Sequence, residues 1–224
     1  VLAACVLAAP SLALAKSFEI ADVYVAASFD AAGNLHIDES RTFDFSGSFS
    51  WVEWSLSTEG SDSIYVTALY ETGGAGASAG AQKAFERVDG TAVEPGTYSV
   101  AEEDGALKVH VAIDVTNSQY TLRLIYVANA AVKKYSDCAE LYWKFIGDET
   151  SVPTRNVRVE IAPPTPLLPA DMLAWAHGPL NGDVSISAGG VVFVTVSELP
   201  EETLVAARVL YPPTVLSDVP DSTT

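Results

Sequence analysis

Leu35-His36-Ile37-Asp38-Glu39-Ser40-Arg41-Thr42-Phe43-Asp44-Phe45 repeats its character every second residue. A β-strand points successive side chains to opposite faces. The stretch therefore reads as a strand carrying Leu35, Ile37, Glu39, Arg41, Phe43 and Phe45 on one face. The same period recurs outward along the chain. Leu107, Val109, Val111 and Ile113 alternate with Lys108, His110 and Ala112. Tyr120, Leu122, Leu124 and Tyr126 alternate with Thr121, Arg123 and Ile125, and Val157, Val159 and Ile161 with Arg158 and Glu160. Ala31-Ala32-Gly33-Asn34 and Ala188-Gly189-Gly190 supply turns between such runs. Roughly a dozen strands and no helix are expected, which makes the chain all-β. Two architectures fit. One is a pair of tandem antiparallel β-sandwich subdomains, residues 16–128 and 129–213. The other is a single larger β-sandwich.

Between the strands, Glu71 to Lys83 is a Gly/Ala/Ser segment without apolar anchors and reads as a loop. Pro163, Pro164, Pro166 and Pro169 end the strand at Ile161 and leave an extended connection to Asp171. Residues 214–224 are acidic and Ser/Thr-rich, the composition of a linker.

Val1 to Ala15 carries no charge and ends Ala13-Leu14-Ala15 before the polar Lys16-Ser17. That is the apolar region and small-residue cleavage site of a secretory signal peptide, too short to span a bilayer. It directs the chain out of the cytoplasm. Leu2-Ala3-Ala4-Cys5 also matches a lipobox, but apolar sequence continues past Cys5, so Cys5 is read as part of the signal. Cys138 then has no disulfide partner and reads as a small buried hydrophobe.

The 224 residues hold 12 Lys and Arg against 29 Asp and Glu, a net charge of −17. Binding nucleic acid or anionic lipid needs clustered bases, and none occurs. No catalytic, phosphate-binding or metal-binding motif is present, so neither a cofactor nor a metal is expected. Three constellations merit weighing. Glu39 and Arg41 stand on an apolar face. They read as an acid/base group, as a structural ion pair, or as residues that a bulge turns to solvent. Val52, Trp54 and Leu56 alternate with Trp51, Glu53 and Ser55. If the first set is core, Trp51 and Glu53 face outward as a sugar-stacking platform or beneath a covering loop. His177-Gly178-Pro179-Leu180-Asn181-Gly182-Asp183 reads as a tight turn, with His177, Asn181 and Asp183 a weak set of metal ligands.

Several blocks in order resemble a known family: Gly33 to Glu39, Phe43 to Phe49, Tyr135 to Gly147, and His177 to Gly182. The chain from Lys16 to about Pro213 is similar to the N-terminal extracytoplasmic region of predicted bacterial membrane proteins, domain-of-unknown-function family 2207. The resemblance implies a β-rich ectodomain, then a transmembrane helix beyond this sequence. It implies no activity. Asp137, Glu140 and Trp143 belong to its most specific block. There, Leu141, Trp143 and Phe145 face one way and Glu140 and Tyr142 the other, and the strand is expected to lie inside a sheet.

The functional expectation is a non-catalytic recognition or envelope-organising ectodomain on the outer face of the bacterial cell membrane. Its partner would be a protein or a cell-wall glycan. The alternative is a carbohydrate-binding or glycan-processing module.

Overall fold

The computed structural model describes residues 16–73 and 82–220. The signal-like segment with Cys5 lies outside these residues, as do residues 74–81 of the Gly/Ala/Ser segment and the last four of the expected linker. In chain order the strands are β1 (Ser17–Phe29), β2 (Leu35–Ser46), β3 (Ser48–Ser57), β4 (Ser63–Gly73), β5 (Lys83–Ala84), β6 (Glu86–Arg87), β7 (Thr97–Glu103) and β8 (Ala106–Thr116). They continue as β9 (Gln119–Asn129), β10 (Val132–Lys134), β11 (Ala139–Ile146), β12 (Thr154–Ala162), β13 (Leu173–His177), β14 (Gly182–Ile186), β15 (Val192–Leu199) and β16 (Val205–Tyr211). Helical structure among the described residues is confined to single 3₁₀ turns at Pro169–Asp171 and Pro213–Val215. The protein is all-β, as the period-two pattern requires.

A large sheet of eight strands has the order β14-β15-β12-β1-β2-β9-β4-β5, and two sheets of four have the orders β3-β8-β7-β6 and β10-β11-β16-β13. Of the two expected architectures, the single larger sandwich describes this order. The large sheet takes β1, β2, β4 and β9 from before residue 129 and β12, β14 and β15 from after it. A boundary at residues 128 and 129 therefore cuts through the large sheet, although the two small sheets fall one on each side of it. The pairing is antiparallel except at two parallel ladders, β1 with β12 and β6 with β7.

The alternation of β2 holds without a slip. Leu35, Ile37, Glu39, Arg41, Phe43 and Phe45 are all buried. Both small sheets pack on this face. Phe43 meets Trp54 of β3 edge-on at 6.3 Å, and Phe29 of β1 meets Tyr211 of β16 at 4.9 Å. One continuous hydrophobic core joins all three sheets. β11 lies between β10 and β16, inside its sheet as expected, with Leu141, Trp143 and Phe145 inward.

Two details differ from the sequence reading. Residues from 214 onward do not behave as a free linker at once. Val215 and Leu216 are buried, and the Asp218 N–H donates to the carbonyl of Ala31 at 3.1 Å. The apolar Val215-Leu216 pair outweighs the polar composition around it. Cys138 is partly exposed rather than buried, because it precedes the first residue of β11 in a turn. Burial, then the negative charges of Asp137 and Glu140, push its thiol pKa up, with Arg208 opposing. That leaves it a poor nucleophile.

The β1–β2 turn is clamped to β10. Gly33 has φ +84°, and its carbonyl accepts the N–H of Val132 at 3.0 Å. A Cβ at Gly33 would lie 2.6 Å from the Val132 carbonyl oxygen, whereas one at Gly105 (φ +75°) meets nothing within 4 Å. Both Gly→Ala changes strain the left-handed backbone by about 1–2 kcal/mol. Gly33→Ala should cost clearly more than Gly105→Ala in urea unfolding, since only Gly33 also clashes. Equal losses would show that the turn does not rest on β10.

Candidate functional site

Among the described residues, β3 is an edge strand paired only with β8. Its register slips between Phe49 and Trp51, then runs unbroken from Trp51↔Ala112 to Ser57↔Ala106. Val52, Trp54 and Leu56 are therefore buried while Trp51 and Glu53 face outward, as the alternation predicts. Trp51 keeps 54% of its surface exposed. No loop covers it. Its ring stacks on His110 of β8 at 5.1 Å and 27°, which fixes its plane. Glu53 lies 3.6 Å from Lys108.

A cleft of about 510 Å³ opens along this part of β3. Trp51, Glu53 and Ser55 line one side, and the Glu149–Val152 segment between β11 and β12 lines another. Phe18, Phe43 and Phe49 give it apolar walls. Arg41 also lines it, which brings two of the sequence constellations into one place.

Arg41 and Glu39 are a buried pair. The β2–β9 register is unbroken, and the β1–β2 register slips only at Ala21 of β1, beyond the Val23↔Arg41 pair, so no bulge turns them out. Glu39 is fully buried and Arg41 is 6% exposed. The Arg41 Nε–H donates to Glu39 Oε1 at 2.7 Å, and the Trp54 indole N–H donates to the same oxygen at 3.2 Å. The Arg41 guanidinium lies over the Trp54 ring, 4.6 Å from its centroid. Across the ladders Glu39 faces Val25 and Leu124, and Arg41 faces Val23 and Leu122. Apolar neighbours thus surround the pair, and each charge relies on the other. Tyr126, also of the large sheet, is buried beside it. Burial and the Glu39 carboxylate hold its phenol pKa well above the ordinary value, with Arg41 opposing. Glu39 Oε2 and Trp143 Nε1 are buried near this phenol but reach no partner at hydrogen-bonding geometry among the described residues.

The remaining expected residues do not line this cleft. Glu140 of β11 accepts the Nε–H of Arg208 at 2.5 Å, and the Arg208 guanidinium lies 5.9 Å from the Trp175 centroid. His177 meets Tyr142 edge-on at 5.7 Å. These side chains cover the outer face of the β11 sheet. Asp137 is exposed in the turn before it, and Trp143 is core. Asn181 Nδ2 donates to the Glu198 carbonyl at 2.8 Å and to Ser197 Oγ at 3.2 Å. It ties its turn to β15, which is the structural role of a turn residue. No cluster of His, Cys, Asp and Glu able to hold a metal ion occurs among the described residues. Ser55 joins the cleft as the alternation with Trp51 and Glu53 implies, but the Glu149–Val152 segment joins it without a local sequence signal, because linear order does not show that the β11–β12 connection returns to β3.

Residues 19–211 match the family described as predicted membrane protein (DUF2207) N-terminal domain, and the chain belongs to that family. No curated protein matches it. Among solved structures, a candidate protease from Parabacteroides distasonis ATCC 8503 is 10% identical, with a TM-score of 0.49 over 87% of this chain and 40% of that one. The M1 zinc metallopeptidase from Deinococcus radiodurans is 14% identical, with a TM-score of 0.43 over 85% of this chain and 42% of that one. The chain spans less than half the length of either. No helix among the described residues is long and apolar enough to cross a membrane.

Removing Arg41 leaves the Glu39 carboxylate buried without its counter-charge. Arg41→Ala should lower stability by about 3–5 kcal/mol. Thermal melts should place it well below a surface control such as Glu102→Ala. Equal melting temperatures would show that the pair is not what holds the two layers together here.

Proposed function

We propose that this domain is a non-catalytic recognition module, carried outside the cytoplasm by a membrane-anchored bacterial protein, and that the Trp51 cleft is its binding site. The family's description and the signal-like Val1–Ala15 segment support the setting. The observation that carries the site is Trp51 itself. What sets Trp51 apart from other exposed aromatics is its place: its ring is more than half exposed, held flat by His110, and lines a cleft with apolar and polar walls. The cleft volume lies within the ~300–1,000 Å³ range of small-ligand sites.

A cell-wall glycan is the ligand class this arrangement favours. A pyranose ring offers an apolar face to Trp51, and Glu53 and Glu149 offer acceptors to its hydroxyls. Binding asks for no more than this, so recognition is preferred to glycan processing. A peptide segment of a protein partner is the second class, because one edge of β3 is unpaired among the described residues and could take a strand.

Titration with peptidoglycan fragments and a glycan panel tests the reading. Tryptophan fluorescence should shift on binding, and Trp51→Ala should abolish the shift while melting like wild type. A flat response across the panel would remove the glycan reading. A shift that survives Trp51→Ala would place binding elsewhere.

A further inference from the structure

We infer that the Trp51 cleft takes a carboxylate-bearing sugar and that Arg41 is the residue that reads the carboxylate. The inference rests on the reading of the cleft as a binding site and adds the chemistry of what fills it. The Arg41 side chain is more than nine-tenths buried, and its orientation is fixed from two directions. Nε–H is committed to Glu39, and the guanidinium face lies on Trp54. Nε–H is the one guanidinium donor with a hydrogen-bond partner among the described residues. The terminal amino groups of a residue that lines the cleft are left without one. Ser55 lines the same cleft, and its hydroxyl oxygen is also buried without a partner. The Arg41 amino groups are not sealed in the core like the Ser55 hydroxyl but open to the cleft, where a ligand acceptor can replace water on them. The group that matches a rigid guanidinium fork is a carboxylate, which accepts two parallel N–H bonds.

Charge does not forbid an anion here, although the chain carries −17. Three of its 12 bases line the cleft, Lys16, Arg41 and Lys108, against Glu53 and Glu149 of its 29 acids. With Glu39 behind Arg41 the local signs balance. Selection then comes from oriented donors rather than from net attraction. The body attached to the carboxylate follows from Trp51. Its exposed, flat ring at the mouth of the cleft suits the apolar face of a pyranose, with Glu53 beside it for hydroxyls.

Two matched pairs of probes test this on the unaltered domain by calorimetric titration. They are N-acetylmuramic acid against N-acetylglucosamine, and glucuronic acid against glucose. Within each pair the acid and the neutral sugar share the ring that Trp51 would stack on. In at least one pair the acid should bind tenfold or more tightly than its neutral partner. Arg41→Lys keeps a cation opposite Glu39 but removes the fork, and it should bring the two members within threefold of each other. If the neutral sugars bind as well as the acids, the carboxylate inference is overturned and the binding-site reading stands. If 3-phenylpropionate binds as tightly as the better acidic sugar, the sugar part is overturned. Silence from all four sugars also overturns the inference, and the glycan panel then decides whether the glycan reading of the cleft falls with it. A preference for the acid that is unchanged in Arg41→Lys would remove Arg41 as the reader.

Discussion

The parallel ladder between β1 and β12 runs from Ile20↔Thr154 to Ser28↔Ala162 and joins the early strands of the chain to the late ones. Without it, β1, β2, β9, β4 and β5 would form one sheet and β12, β15 and β14 another. With it, one broad surface exists on which both small sheets can lie. A parallel pair cannot be closed by a tight turn. Here the whole of β2 to β11 is threaded between its two strands. Contacts so distant in sequence are slow to form, so the domain should fold as β proteins of high contact order do.

Two small sheets on one large face leave a region where β3, the edge of one of them, has no second partner among the described residues. The fold fills that region with a polar group rather than an apolar one. Glu39 and Arg41 sit on the apolar face of β2, and Trp54 from β3 contributes both an N–H and a ring face to them. The pair therefore links a strand of the large sheet to the edge strand above it. A buried ion pair is a weak source of stability compared with a packed apolar core. Its value here lies in position, since Arg41 extends through the layer to the wall of a cleft. A leucine at 41 would fill the layer but give the cleft no donor.

The architecture was legible in the chain wherever one face of a strand is buried. β2, β8, β9 and β12 follow the alternation read from Leu35, Leu107, Tyr120 and Val157. The outward placement of Trp51 and Glu53 was legible too, because the slip in β3 falls before Trp51 and not after it. What alternation does not encode is which strands pair. Nothing local to residues 128 and 129 reveals that β12 returns to β1. The cleft was half legible for the same reason. Trp51 and Arg41 each stood out, but their meeting depends on β3 lying over β2. Asp137, Glu140 and His177 drew attention as motif residues, yet the structure uses them on the outer face of another sheet and in its turns. Composition also misled at Cys138 and at Val215-Leu216, where a partly exposed turn and a docked apolar pair go against their surroundings.

If the β1–β12 ladder makes one structure of the two halves, the domain must unfold as one. Differential scanning calorimetry of residues 16–220 measures this directly, through the ratio of the calorimetric to the van't Hoff enthalpy. The shared sheet predicts a single transition with a ratio near one. Two resolved transitions, or a ratio well above one, would show that the segments before and after residue 129 unfold independently, and the single-sandwich account would be wrong.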